Sequence, residues 1–146
     1  MSMVDVSDKP EILREATAMG TLKLKNMTVQ LIKEGKVAKG DPFYTARIAG
    51  ILAAKKTSTL IPLCHTLPLT RVEIDLKIEG KTGVRVTARV KAKASTGVEM
   101  EALVATTMSL LTVWDMVKQY EKDAQGQYPS TAIENIHVVK KVKKTS

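Results

Sequence analysis

Glu101 and Asp115 stand fourteen residues apart in residues 97–118, GVEMEALVATTMSLLTVWDMVK, with Glu99 two residues before the first and Lys118 three after the second. An acid with a lysine one helical turn away can pass a proton, and a second carboxylate can hold a polar ring. Fourteen residues make close to four turns, so the two acids share roughly one face, yet they sit roughly 21 Å apart along the axis. One small-molecule pocket does not easily hold both from the same helix. If both act, the natural arrangement is a pocket between two copies of the chain, each supplying one end. The ordinary structural reading stands beside this one. Glu99 and Glu101 suit the positive end of the helix, and Asp115 with Lys118 makes a surface pair worth a few tenths of a kcal/mol.

A second cluster is Cys64 and His65, within residues 57–69, TSTLIPLCHTLPL. Pro62 and Pro68 exclude a central strand and a helix interior there. An apolar, ordered, irregular segment is characteristic of a binding loop on a scaffold. Taken singly, a lone cysteine is usually a small buried hydrophobe and a lone histidine usually structural. One Cys and two His, His65 and His137, provide no metal-ligand spacing, so no metal site is expected.

The elements that position these groups follow from periodicity. Residues 97–118 read as one long helix with an apolar face through Leu103, Thr106, Leu110, Val113, Val117 and Tyr120. Thr96 and Glu99 fit a capping box. Residues 70–79 and 84–93 alternate apolar and polar and form a hairpin over a four-residue connection, with Arg85, Arg89, Lys91 and Lys93 outward. Residues 11–25 favour a strand, with Gly20 at a bulge or close approach. Residues 26–34 read as a helix capped by Asn26 and stopped by Gly35. Asp41 caps a helix with Pro42 at its first position, running to Lys55 or Lys56; Arg47 within it reads as a snorkelling edge arginine. Residues 119–130 read as a loop and 131–139 as the last strand. The expected class is α+β, an antiparallel sheet with helices packed on one face. Residues 1–146 form one domain, with 1–10 a loose lead-in and 142–146 a basic tail.

Composition limits function. Hydrophobic residues make up 44% of 146, enough for a core. No apolar run approaches a membrane span, the N-terminus lacks a basic-then-apolar signal, and Cys64 has no partner for a disulfide. A cytosolic protein is expected. The net charge is +8, which favours acidic partners: nucleic acid, anionic membrane or phosphorylated small molecules. The aromatics are only Phe43, Tyr44, Trp114, Tyr120 and Tyr128, and no strand interleaves them with basic residues as an RNA-binding sheet does. A small basic nucleic-acid-binding α+β module is the alternative reading, with the tail and the hairpin face as its footprint.

The segments KGDPFYTARIAGILAAKKTSTLIPLCHTLPLT, GVEMEALVATTMSLLTVWDMVK and MVDVSDKPEILREATAMG together resemble the molybdenum-cofactor biosynthesis protein C (MoaC) family, from Met3 to about Lys141. The resemblance implies a ferredoxin-like fold. It also implies a cytoplasmic lyase of molybdenum-cofactor biosynthesis that converts (8S)-3',8-cyclo-7,8-dihydroguanosine 5'-triphosphate to cyclic pyranopterin monophosphate and releases pyrophosphate. It implies hexamers built from dimers, with active sites between subunits. Matched residue by residue, it puts catalytic groups at Asp115, Lys118 and Lys141. Substrate contacts fall at Arg14, Lys39, Leu63, Cys64, His65, Met100 and Glu101. Lys140 adjoins Lys141, and KKVKKTS replaces the family's glycine-rich continuation; Thr66 stands where the family commonly has proline. No resident cofactor is implied, and a magnesium ion with the substrate phosphates stays open. Arg14, Lys39, Lys118 and Lys141 would offset the triphosphate. Asp115 and Lys118 would work as a coupled acid and base once burial draws their pKa values together.

Overall fold

A computed structural model describes residues 1–145. The elements run β1 (Ile12–Lys23), α1 (Asn26–Lys33), α2 (Pro42–Lys55), α3 (Thr57–Leu60), β2 (Leu69–Glu79), β3 (Gly83–Ala94), α4 (Glu99–Glu121) and β4 (Ala132–Lys144). The sheet order is β2-β3-β1-β4, with every neighbouring pair antiparallel. Each strand–helix–strand unit is split by a strand of the other, which is the ferredoxin-like α+β arrangement. β1 buries alternate residues, Ala16, Ala18 and Leu22 among them, and β3 buries Val84, Val86, Ala88, Val90 and Ala92. Those side chains share the face covered by α2 and α4. Period-2 alternation is the direct imprint of one-sided burial, so the three strands β1, β2 and β3 match their sequence pattern closely. The hairpin is one residue tighter than expected: Glu79 pairs with Gly83, and Gly80 turns at φ +64°.

α4 lies over the middle of the sheet. Thr106, Leu110, Val113 and Val117 are fully buried as the pattern requires, while Leu103 and Tyr120 are half-buried. Full burial of a side chain like Leu110 stabilises by about 1.5–3 kcal/mol. By length and mean hydropathy α4 is also long and apolar enough to cross a membrane, contrary to the sequence expectation, yet half of that stretch is buried inside this fold. α2 crosses α4 closely: a Cβ on Gly50 would collide with the Ser109 hydroxyl, and Ser109 Oγ donates to the Ala46 carbonyl at 3.1 Å. Arg47 is no free edge arginine; its Nε donates to the Ile74 carbonyl of β2 at 3.0 Å.

Helix ends depart most from expectation. Asp41 caps α2 as predicted, accepting from Phe43 N–H and Tyr44 N–H, with Pro42 in the first turn. Asn26 is already helical, and the residue before α1 is Lys25, which has no capping side chain. The N–H of Lys25 is met instead by Glu121, whose fully buried carboxylate accepts it at 3.1–3.2 Å and also takes the hydroxyls of Thr28 and, at 2.7 Å, Thr131. α4 runs three residues beyond Lys118, and its last carboxylate joins the start of α1 to the residue just before β4. The Thr96 and Glu99 capping box is absent: Val98 precedes the helix, and Thr96 Oγ1 turns to the Gly97 carbonyl. Glu99 is drawn elsewhere, as described below. Between the prolines the chain is irregular as expected, after the single turn α3.

β4 is longer than the alternation in residues 131–139 suggests and runs through the lysines to Lys144, paired with β1. Two irregularities interrupt that pairing. Near Gly20 the register shifts between Met19 and Thr21, Asn135 takes φ 61°, and a Cβ on Gly20 would meet Ile136 and Leu110 at 2.9 Å. Gly20 thus marks both a bulge and a close approach. The second shift leaves Val139 unpaired between Val138, opposite Ala18, and Lys140, opposite Thr17. Ser146, the last residue of the basic tail, lies outside the described residues.

Candidate active site

Asp115, one turn before Lys118 on α4, is held between two cations. Lys118 Nζ is 3.0 Å from Asp115 Oδ1, and Lys39 Nζ is 3.2 Å from Oδ2 and 3.1 Å from the Asp115 carbonyl. Lys39 arrives from the loop between α1 and α2, which turns back through a Gly40 N–H bond to the Val37 carbonyl. The hydrogen bonds from Lys118 and then Lys39 hold the Asp115 carboxyl below the ordinary carboxylate range, and the Asp115 hydrogen bond raises Lys118. The side chains of Asp115, Lys118 and Lys39 are 56%, 44% and 43% exposed. In a single copy of the chain the ion pair moves the two pKa values apart. Beside it lies a shallow apolar depression of about 230 Å³ lined by Leu111, Trp114, Asp115, Lys118 and Tyr128. Trp114 and Tyr128 meet edge to face, centroids 5.3 Å apart.

A second group forms at the other end of α4. Lys141 Nζ is 2.6 Å from Glu99 Oε1. Antiparallel partners point to the same side of a sheet, so the bulge at Val139 decides which lysine reaches the helices. It sets Lys141 opposite buried Ala16 and turns Lys140, opposite Thr17, to the other face. Burial pushes the Glu99 carboxyl up, but the Lys141 hydrogen bond, its own backbone N–H and the charges of Lys141 and Arg14 outweigh it and leave the group below its usual range. Arg14 is itself buried and donates from Nε to the Ala94 carbonyl at 3.3 Å and from Nη2 to the Ser95 carbonyl at 3.1 Å.

Glu101 is 3% exposed, and its Oε1 has no hydrogen-bond partner. Burial first, then the charge of Glu99, raises its pKa. Burial and the Glu101 charge likewise raise the Cys64 thiol. His65 is half-buried and donates from Nε2 to the Val4 carbonyl at 2.7 Å, so the lead-in is tied to this group rather than loose. Leu63 and Met100 are exposed here, 44% and 42%.

The predicted residues thus fall into two sets. Asp115, Lys118 and Lys39 meet at one end of α4; Arg14, Cys64, Glu101 and Lys141 gather with Glu99 at the other. The helix separates them by roughly four turns, about 21 Å. Glu99, Trp114 and Tyr128 were missed. Glu99 had a signal, two residues before Glu101 in the same motif; Trp114 and Tyr128 had none, since their contact folds the loop that follows α4 back onto the helix and leaves no periodic trace. Among the described residues no three His, Cys, Asp or Glu side chains gather to hold a metal ion.

An uncovered apolar band also accompanies the two sets. Tyr44, Ile48 and Leu52 are exposed at four-residue intervals along α2, and Leu60, Met100 and Leu111 are exposed near it on α3 and α4. A depression of about 260 Å³ lined by Leu60, Ile61, Met100, Leu103, Val104, Thr107 and Met108 continues it. The basic residues of the hairpin's outer face, by contrast, are mostly paired: Arg85 with Glu79, and Arg89 and Lys91 with Glu15.

The MoaC family model matches residues 3–144. The chain is 58% identical to a probable cyclic pyranopterin monophosphate synthase of Saccharolobus solfataricus over 141 residues, covering 97% of this chain and 94% of that protein. Proteins given the same name in Thermococcus onnurineus and Methanococcoides burtonii are 56% and 54% identical over 143 residues, covering 98% of this chain and 91% and 89% of theirs.

Proposed function

The chain belongs to the MoaC family, and from that premise we propose that it is a cyclic pyranopterin monophosphate synthase, a lyase of molybdenum-cofactor biosynthesis. Its substrate is the cyclised dihydroguanosine triphosphate, and its products are cyclic pyranopterin monophosphate and pyrophosphate. The observation that carries the reading is Asp115 clamped between Lys118 and Lys39 beside an aromatic-walled depression. Cations suit the triphosphate and the departing pyrophosphate, and the apolar aromatic lining suits the ring.

In a single copy the hydrogen bonds from Lys118 and Lys39 favour the charged forms of Asp115 and Lys118, which suits anion binding more than proton transfer. Two events would correct this. Substrate phosphates would compete with Asp115 for Lys39 and Lys118. Burial beneath a second copy would raise Asp115 and lower Lys118, bringing both nearer neutrality. The second copy would bring its own Glu99, Glu101, His65 and Lys141, with Arg14 buttressing Glu99, and so complete the pocket. The exposed stripe of Tyr44, Ile48 and Leu52 supports such an association, as apolar bands of this kind commonly mark interfaces. We read the assembly as a hexamer of three dimers and place it in the cytosol. No resident cofactor enters this reading. The nucleic-acid module has less support, since much of its hairpin footprint is neutralised by Glu15 and Glu79.

The test is direct turnover of the cyclic dihydroguanosine triphosphate, following pyrophosphate and the pterin product together, for wild type and Asp115→Asn. Chelation in the same assay settles whether magnesium takes part. Product from wild type with collapse in the variant supports the lyase. A folded, assembled wild type that makes no product removes it.

A further inference from the structure

Tyr120 lies on α4 five residues beyond Asp115, half-buried against the main core. Its hydroxyl accepts the Ala38 N–H at 2.9 Å, across 82 residues of sequence. Ala38 is the residue just before Lys39. The loop that carries both is anchored before Ala38, where Val37 is buried in the core and Lys36 N–H bonds the Leu31 carbonyl at 2.9 Å, and Gly40 N–H closes a turn onto the Val37 carbonyl at 3.1 Å. Gly35 and Gly40, at φ +67° and +117°, bracket it. Beyond Val37 the backbone of Ala38 and Lys39 has no other side-chain anchor among the described residues, and an exposed lysine on a glycine-flanked loop has many conformations. The tyrosine hydroxyl adds a fixed point one residue before Lys39. It ties the loop to the same helix that presents Asp115 and Lys118, so the cation and the acid are referenced to one rigid element.

We propose that Tyr120 is a positioning residue of the reaction, acting through the Ala38 N–H to deliver Lys39 to Asp115. The inference rests on the reading of Asp115, Lys118 and Lys39 as the reacting cluster. It assigns Tyr120 no contact with substrate.

The charged groups facing Asp115 are Lys118 on its own helix and Lys39 from the loop, with Tyr128 near Lys118. Loosening Lys39 therefore has a readout that needs no turnover. The Asp115 carboxyl should titrate at a higher pH, since one of the two hydrogen bonds that depress it is lost.

The experiment compares wild type, Tyr120→Phe, Lys39→Ala and the double variant. It measures kcat/KM with the cyclic dihydroguanosine triphosphate, the melting temperature, and the Asp115 carboxyl titration by carbon-13 NMR of aspartate-labelled protein. Tyr120→Phe should lower kcat/KM by about fivefold, the scale of one lost hydrogen bond, with melting nearly unchanged. It should move the Asp115 titration upward in the direction Lys39→Ala moves it. In the Lys39→Ala background it should do neither. Ala38→Pro deletes the same hydrogen bond from the donor side, and proline suits the second position of the turn that Val37 and Gly40 close, so it should reproduce Tyr120→Phe. Losses that multiply in the double variant, or an Asp115 titration unmoved by Tyr120→Phe, would overturn the proposal. A wild type without turnover would defeat the lyase reading alone, and the titration would still decide whether Tyr120 places Lys39.

Discussion

Lys141 Nζ lies 2.6 Å from Glu99 Oε1, joining the last strand to the first turn of α4. The pair has a definite pH signature. Burial alone would raise Glu99, but Lys141 and Arg14 leave its folded pKa below the unfolded value. Its stabilising contribution is therefore full above the ordinary carboxylate range and is lost as the pH falls through the depressed folded pKa. In Lys141→Met the burial cost stands without its main counterweight, so the Glu99 titration should rise. The melting temperature should fall more at pH 7 than at pH 3, which calorimetry across that range checks.

Glu101 has the opposite sign. Its folded pKa is raised, so its contribution is full below the unfolded value near 4.5 and is lost as the pH rises through the folded one. Glu101→Gln removes the ionisable group and keeps the shape. The variant should melt above wild type at pH 8, with the advantage gone at pH 4. Equal melting at both values would show that the buried carboxylate costs nothing when charged.

Glu121 gathers Lys25 N–H and the hydroxyls of Thr28 and Thr131 in a fully buried site. Removing the shared acceptor strands all three donors. Glu121→Ala should cost about 3 kcal/mol in urea unfolding, and Thr131→Val appreciably less, because it removes one bond and leaves the others.

The stripe of Tyr44, Ile48 and Leu52 should be covered in the working assembly. Ile48→Glu places a charge there and should shift sedimentation toward smaller species while leaving the far-ultraviolet circular dichroism unchanged. Under the proposed shared site, turnover should fall with assembly.

Where burial is one-sided and local, sequence pattern and structure agree. β1, β2 and β3 alternate because one face meets helices, and Asp41 with Pro42 starts α2 because the cap lies within its own first turn. Disagreement begins where a distant partner wins. Glu99 would have capped α4, but Lys141 on β4 holds it. Asn26 gives way to Glu121, which meets the Lys25 N–H across 96 residues of sequence. The lysines at the end of β4 carry no alternation, and only their pairing to β1 makes them a strand. The site divides in the same way. Asp115 and Lys118 are visible as neighbours on one helix, and the choice of Lys141 over Lys140 is not, since it depends on an extra residue at Val139. The separation of Glu101 from Asp115 follows from helical rise alone.

That separation also supplies the decisive measurement. Asp115→Asn and Lys141→Ala should each be inactive alone, having lost opposite ends of the same composite pocket. Mixed under conditions that exchange subunits, they should regain activity, because a site built from the Asp115 end of one chain and the Lys141 end of another can escape both lesions. Random exchange of equal amounts should restore about one site in four. No recovery from mixtures whose exchange is verified by mass would contradict a shared site and confine each pocket to a single chain.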